Sequence, residues 1–138
     1  MTSKPVSSLT LFSLAAGLCV TSAAPKPEMP KLSESDLAKI EAALPVKATA
    51  QPAQARRILI FWRCEGFFHG GGIAGGCKAI ELMGKKTGAF STDISDDYAV
   101  FTPDNLAKYD AVILNNTTQL KMSDEQKAKQ EEWYKLEL

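Results

Sequence analysis

The 138 residues leave room for one domain at most. Lys and Arg together number 16, and so do Asp and Glu, so the formal net charge is zero and no basic surface for nucleic acid or anionic lipid is expected. Hydrophobic residues make up 45%, a globular proportion that excludes disorder along the whole chain.

Residues 1–23 read as a signal peptide. Lys4 gives a basic start, and Leu9 to Val20 is an apolar run too short to span a bilayer comfortably as a helix. Thr21-Ser22-Ala23-Ala24 supplies small residues for cleavage, expected after Ala23 or Ala24, with Ala23 preferred because Pro25 follows Ala24. The mature chain is then periplasmic or secreted, with no stable membrane span. The alternative is a buried N-terminal helix. Cys19 would suit a lipoprotein, but bulky Leu18 before it argues against lipidation. Cleavage removes Lys4 alone among the charged residues, leaving the mature side chains near a net charge of −1.

Residues 24–56 read as a lead-in helix and linker. Pro25, Pro27 and Pro30 give an extended start. Leu37, Ile40, Ala43 and Leu44 then recur at helical spacing behind Ser33 and Asp36, an N-cap arrangement, and Pro45 ends the helix. Lys47 to Ala55 is an Ala/Pro/Gln linker.

The domain occupies 57–138. Ile58 to Trp62 is a continuous apolar run, as expected of a strand covered on both faces. A Gly-rich loop, Glu65 to Gly72, leads to a helix expected from about Ile73 to Thr87. Ile73, Cys77, Ile80 and Met83 share one face of it, and Gly88 follows as a C-terminal cap. Phe90 to Ile94 is the second strand. Thr102 to Leu106 forms a helical turn with Pro103 at its first position. Tyr109 to Leu114 is the third strand, and Ser123-Asp124-Glu125-Gln126 is a capping box for a last helix whose remainder is dominated by charge. Strands alternating with helices predict a doubly wound parallel α/β sheet, incomplete at about three strands.

Ligands of open parallel sheets bind outside the carboxyl ends of the strands. All three strands end in polar residues. The first leads to Glu65 and His69, the second to Asp96 and Asp97, the third to Asn115, Asn116, Thr117 and Thr118. His69 is the single histidine, a candidate for acid/base chemistry; one histidine among scattered carboxylates makes no convincing metal site. Glu65, Asp97, Asn116 and Thr117 are the candidate ligand-binding residues, the last two suited to sugar hydroxyls. Gly70 to Gly75 spells G-x-G-x-x-G with Asp93 about twenty residues on, which keeps a nucleotide-binding reading open. The first glycine, however, stands well beyond the strand end. Cys64 and Cys77 are either a disulfide, allowed in an oxidising compartment, or two free thiols, the favoured reading.

The runs Arg57 to Phe61, Cys64 to His69, Lys78 to Gly84, Ser95 to Asp97, Phe101 to Leu106, Tyr109 to Val112 and Asn116 to Thr118 occur in the same order as in ThuA-like (trehalose-utilisation) domains. Asp36 to Pro45 is similar to the lead-in of exported bacterial members. The resemblance covers about residues 35–126. It implies a class I glutamine amidotransferase-like, flavodoxin-like α/β fold and a role in carbohydrate utilisation, with a small-molecule sugar such as trehalose as partner. His69 matches the family's loop histidine, whereas Gly70-Gly71-Gly72 departs from the small hydroxyl residues usual there. Family members continue with a further buried strand and a Gly-Ile-His type motif, so the resemblance implies a C-terminally truncated domain. The alternative functional reading is an inactive fragment or a non-catalytic sugar-binding or interaction module. Neither the residues nor the resemblance assigns a reaction, a cofactor, a metal or an oligomeric state.

Overall fold

Seven short elements follow the expected order in a computed structural model that describes residues 28–125 together with 127, 128 and 131. The expected signal peptide lies outside the described residues, as does most of the expected last helix. The lead-in helix is α1, Glu34–Ala43. Ser33 caps it: its hydroxyl accepts from the Asp36 N–H (3.1 Å) and donates to the Asp36 carboxylate (2.7 Å). No residue of α1 is buried. It leans on the next helix, where Lys86 Nζ donates to the Leu44 carbonyl (3.3 Å).

Three parallel strands form the sheet: β1 (Arg57–Phe61), β2 (Ser91–Ser95) and β3 (Ala111–Leu114), in the order β2-β1-β3. β1 is central, pairing Ile60 with Ile94 on one side and with Ile113 on the other. Side chains alternate across a strand, so β1 feeds two cores. Leu59 and Phe61 join Phe101, Leu106 and Met122 on one face. Ile60 and Trp62 join Ile73 and Cys77 on the other. Leu59, Ile60 and Phe61 are almost wholly buried, each contributing roughly 1.5–3 kcal/mol of apolar burial. That double burial is why the run is apolar throughout instead of alternating.

Helices cover both faces, giving the α/β arrangement of an incomplete flavodoxin-like fold. α2 (Gly70–Thr87) covers the Ile60 face through Ile73, Ala74 and Cys77. A 3-10 turn (Tyr98–Val100) and α3 (Pro103–Leu106) cover the Phe61 face. Thr102 caps α3 by accepting from the Asn105 N–H (3.3 Å), with Pro103 inside the first turn as expected. α2 begins three residues earlier than its apolar spacing indicates. Gly70, Gly71 and Gly72 form its first turn, and the Ile73 N–H already donates to the His69 carbonyl (2.9 Å). A first turn has N–H groups without intrahelical partners, so it tolerates weak helix formers. Gly88 ends α2 in the left-handed conformation (φ 67°) with its N–H on the Gly84 carbonyl. At the capping box, the Lys127 N–H donates to the Ser123 carbonyl (3.0 Å), a first helical turn.

Candidate functional site

From β1 the chain crosses through α2 to β2 on one side, then through α3 to β3 on the other. The strand order therefore reverses between β1 and β3, and the crevice outside their carboxyl ends is where such sheets take ligands. The two strand ends stay joined past the sheet. Cys64 bridges Thr118 in parallel register, and the Glu65 N–H donates to the Thr118 carbonyl (2.9 Å). The Cys64 thiol donates to the Phe67 carbonyl (3.1 Å), so the Thr118 hydroxyl, 2.8 Å away, is left to donate to the sulfur. Gly66 lies so close to this segment that an added Cβ would stand 3.0 Å from Gln119 and 3.1 Å from Thr118. The β1–α2 loop is thus fastened to the segment after β3. Cys64 is 3% exposed and spends its polar contacts on that fastening.

Asn115 ties β3 to α2. It is buried, and its Nδ2 donates to the Ile73 carbonyl (2.9 Å) and lies 3.2 Å from Cys77 Sγ. Its Oδ1 accepts from Asn116 Nδ2 (2.9 Å). Burial pushes the Cys77 thiol above its ordinary value against the opposing Asn115 contact, so it stays a neutral packing group. Cys64 and Cys77 are free and buried in this structure.

His69 stands at the N-cap of α2. Its side chain does not cap the helix and is exposed, its ring 4.6 Å from that of Phe67 at an angle of 61°. One turn on, Gly72 faces Asn116: a Cβ there would lie 3.4 Å from the Asn116 amide. The first turn of α2 and the end of β3 are therefore neighbours. Asn116 is exposed and left-handed (φ 53°), a conformation asparagine tolerates better than most residues; Thr117 beside it is half-buried.

Glu65 turns to the opposite face. Arg63 Nε donates to its Oε1 (2.6 Å), and Lys121 Nζ lies 4.0 Å from its Oε2. Tyr98, from the Phe61-side layer, donates its hydroxyl to Glu65 Oε1 (3.4 Å) and accepts from the Lys121 N–H (2.9 Å). Burial holds the Tyr98 hydroxyl above its usual value, keeping it a donor. The Arg63 guanidinium covers the Tyr98 ring at 5.2 Å. Asp97 stands beyond β2, where its carboxylate accepts from the Ala99 N–H (2.9 Å) as the cap of the 3-10 turn.

Among the described residues, no group of three or more His, Cys, Asp or Glu side chains is arranged to hold a metal. Nor is any helix among them long and apolar enough to cross a membrane. Asp93, the acidic residue of the G-x-G-x-x-G spacing, lies inside β2 and accepts from Arg57 Nε (2.7 Å), toward the opposite end of the sheet. Two grooves of about 420 and 390 Å³ lie along α2 against the lead-in segment. None of the five candidate residues lines either of them.

Residues 57–135 match the model of the ThuA family, described as trehalose utilisation. The chain belongs to the ThuA family. No curated protein and no solved structure matches it. The ThuA match opens on the first residue of β1 and takes in the whole sheet, α2 and α3. Of the five candidates, His69 stands just before the first turn of α2, and Asn116, followed by Thr117, lies against Gly72 of that turn. Glu65 faces the opposite layer, and Asp97 is turned to its own backbone. Sequence reasoning placed Asn115 at the strand end but missed its inward reach. A polar residue directly behind the apolar run of β3, facing a helix with glycine at positions 72 and 76, was the available signal. Tyr98 as partner of Glu65 was missed too; nothing in a short loop announces a contact 33 residues away.

Proposed function

We propose that this ThuA-family chain binds a disaccharide of the trehalose type in the crevice between β1 and β3, and does so outside the cytoplasm. The meeting of the first turn of α2 with Asn116 at the reversal in strand order carries this reading. The Asn116 amide and Thr117 hydroxyl offer donors and acceptors in the mixture that sugar hydroxyls require. The exposed N–H groups of α2's first turn favour a ligand oxygen. His69 is the single histidine of the chain, and we assign it the polar or acid/base contact to the sugar. The Glu65 and Asp97 carboxylates, engaged by Arg63 and by the Ala99 N–H, shape the surroundings of the crevice. The family's association with trehalose utilisation supports the choice of sugar.

Calorimetric titration of the whole chain with trehalose tests the site. The parent chain binds, and His69→Ala and Asn116→Ala each weaken binding about fivefold, the worth of one lost hydrogen bond of about 1 kcal/mol. Unchanged affinity in both variants would remove the assignment. The reading of residues 1–23 as a leader supports the location. Mass spectrometry of the protein recovered from an exporting host is expected to find Ala24 as the first residue. An intact Met1 start in that material would count against export.

A further inference from the structure

The loop that carries His69 sends two adjacent aromatic side chains in different directions. Phe68 is half-buried against the layer formed by Ile60, Trp62 and Ile73. Phe67 is 76% exposed. A single exposed apolar side chain on a surface needs no explanation, and Val46 in the linker, at 85%, is such a case. Phe67 differs in its setting. Its carbonyl is held by the Cys64 thiol, Gly66 before it is wedged against Thr118 and Gln119, and Phe68 after it is anchored in the core. The side chain is therefore displayed from a fastened loop at the switch point of the sheet. Its ring lies against that of His69, and among the described residues three quarters of the side chain stays uncovered.

We propose that Phe67 is a stacking platform for a pyranose ring, with His69 and Asn116 taking hydroxyls at the ring's edge. This rests on the sugar-binding reading above and narrows it to a class. A pyranose with equatorial hydroxyls presents ring faces of axial C–H groups, apolar and slightly positive. A phenyl face is apolar and slightly negative, so the two are complementary. An acyclic polyol offers hydroxyls but no such face. The crevice then selects gluco-configured pyranosides over acyclic polyols of equal hydroxyl content.

The test titrates the whole chain with trehalose, methyl α-glucopyranoside and sorbitol, following sugar C–H resonances by NMR. Ring-current shifts to higher field are expected for both pyranosides and not for sorbitol. Phe67→Trp keeps the shifts. Phe67→Leu, which keeps apolar area without the ring current, abolishes them, and Phe67→Ala weakens affinity about fivefold to tenfold. Unaltered circular dichroism confirms that each variant folds, as expected for so exposed a position. Parental affinity in Phe67→Ala, with weakened binding in Asn116→Ala, overturns the stacking role and leaves the sugar site standing. Failure of the parent chain to bind either pyranoside overturns both.

Discussion

The closest approach between α2 and the end of β3 turns on one missing methyl group. At Gly76 an added Cβ would stand 2.6 Å from Asn115 Oδ1 and 2.9 Å from its Nδ2. Asn115 cannot retreat cheaply, because it is buried and bonded to the Ile73 carbonyl and to Asn116. Beside it, Gly75 has nothing within 4 Å of an added Cβ. In an unobstructed helix interior, Gly→Ala gains about 0.5–1 kcal/mol of stability. Gly75→Ala is therefore expected to raise the urea midpoint. Gly76→Ala is expected to lower it, because overpacking costs roughly 1–3 kcal/mol and outweighs the same propensity gain. Two neighbouring substitutions of identical chemistry thus move stability in opposite directions. Shifts of the same sign would show that α2 does not sit on Asn115 as described.

At the scale of elements, what the sequence revealed was what local rules govern. β1 was legible because five apolar residues in a row between polar flanks fit a strand buried on both faces. α1 was legible from its cap, Ser33, which accepts from the N–H three residues on, and α3 from Pro103 at its first position; the cap that Thr102 supplies to α3 came with the structure. The start of α2 was not. Gly70 to Gly72 have the lowest propensity of any non-proline residues, yet the turn is held by the His69 carbonyl and by Phe68 and Pro30 packed close against Gly70. β2 was read one residue early, at Phe90, which instead packs on Gly84 before the strand begins. The site was half legible for the same reason. That the strand ends would be polar followed from pattern, but which side each end turns to followed from contacts distant in sequence. Glu65 went to Arg63 and Tyr98, away from His69, because Tyr98 arrives from the layer on the other face. The 3-10 turn that delivers Tyr98 depends on the Asp97 carboxylate reaching the Ala99 N–H, a local bond that pattern alone does not single out.

Across the whole molecule, the two ends of the sheet do different work. The carboxyl ends of the strands carry the candidate site residues; the amino ends carry charge pairs that hold the strands in place. Arg57 Nε donates to Asp93 of β2 (2.7 Å), and the Arg57 guanidinium lies 5.3 Å from the ring centre of Tyr109, just before β3. Arg56 donates to Asp110 (2.6 Å), which also accepts from the Arg57 backbone N–H (2.8 Å). These bonds hold the Asp93 carboxyl below the ordinary value of 3.8, Arg57 being the main cause. They hold Asp110 below the same value, through Arg56 first and the Arg57 N–H second. A carboxylate depressed on folding contributes stability that is present above its unfolded pKa and lost as pH falls through its folded one. The stabilisation is therefore complete from about pH 5 upward and drains away below about pH 4. Both pairs are partly exposed to solvent, so the effect at each is modest and screened by salt. Urea unfolding midpoints followed from pH 7 to pH 2 are expected to hold level and then fall. The double variant Asp93→Asn/Asp110→Asn should start lower at neutral pH and fall less steeply, because two of the groups that take up protons on acid unfolding are gone. Added salt should narrow the gap between parent and variant at pH 7. An acid limb of the same slope in both proteins would mean that these charge pairs do not hold the amino ends of the strands together.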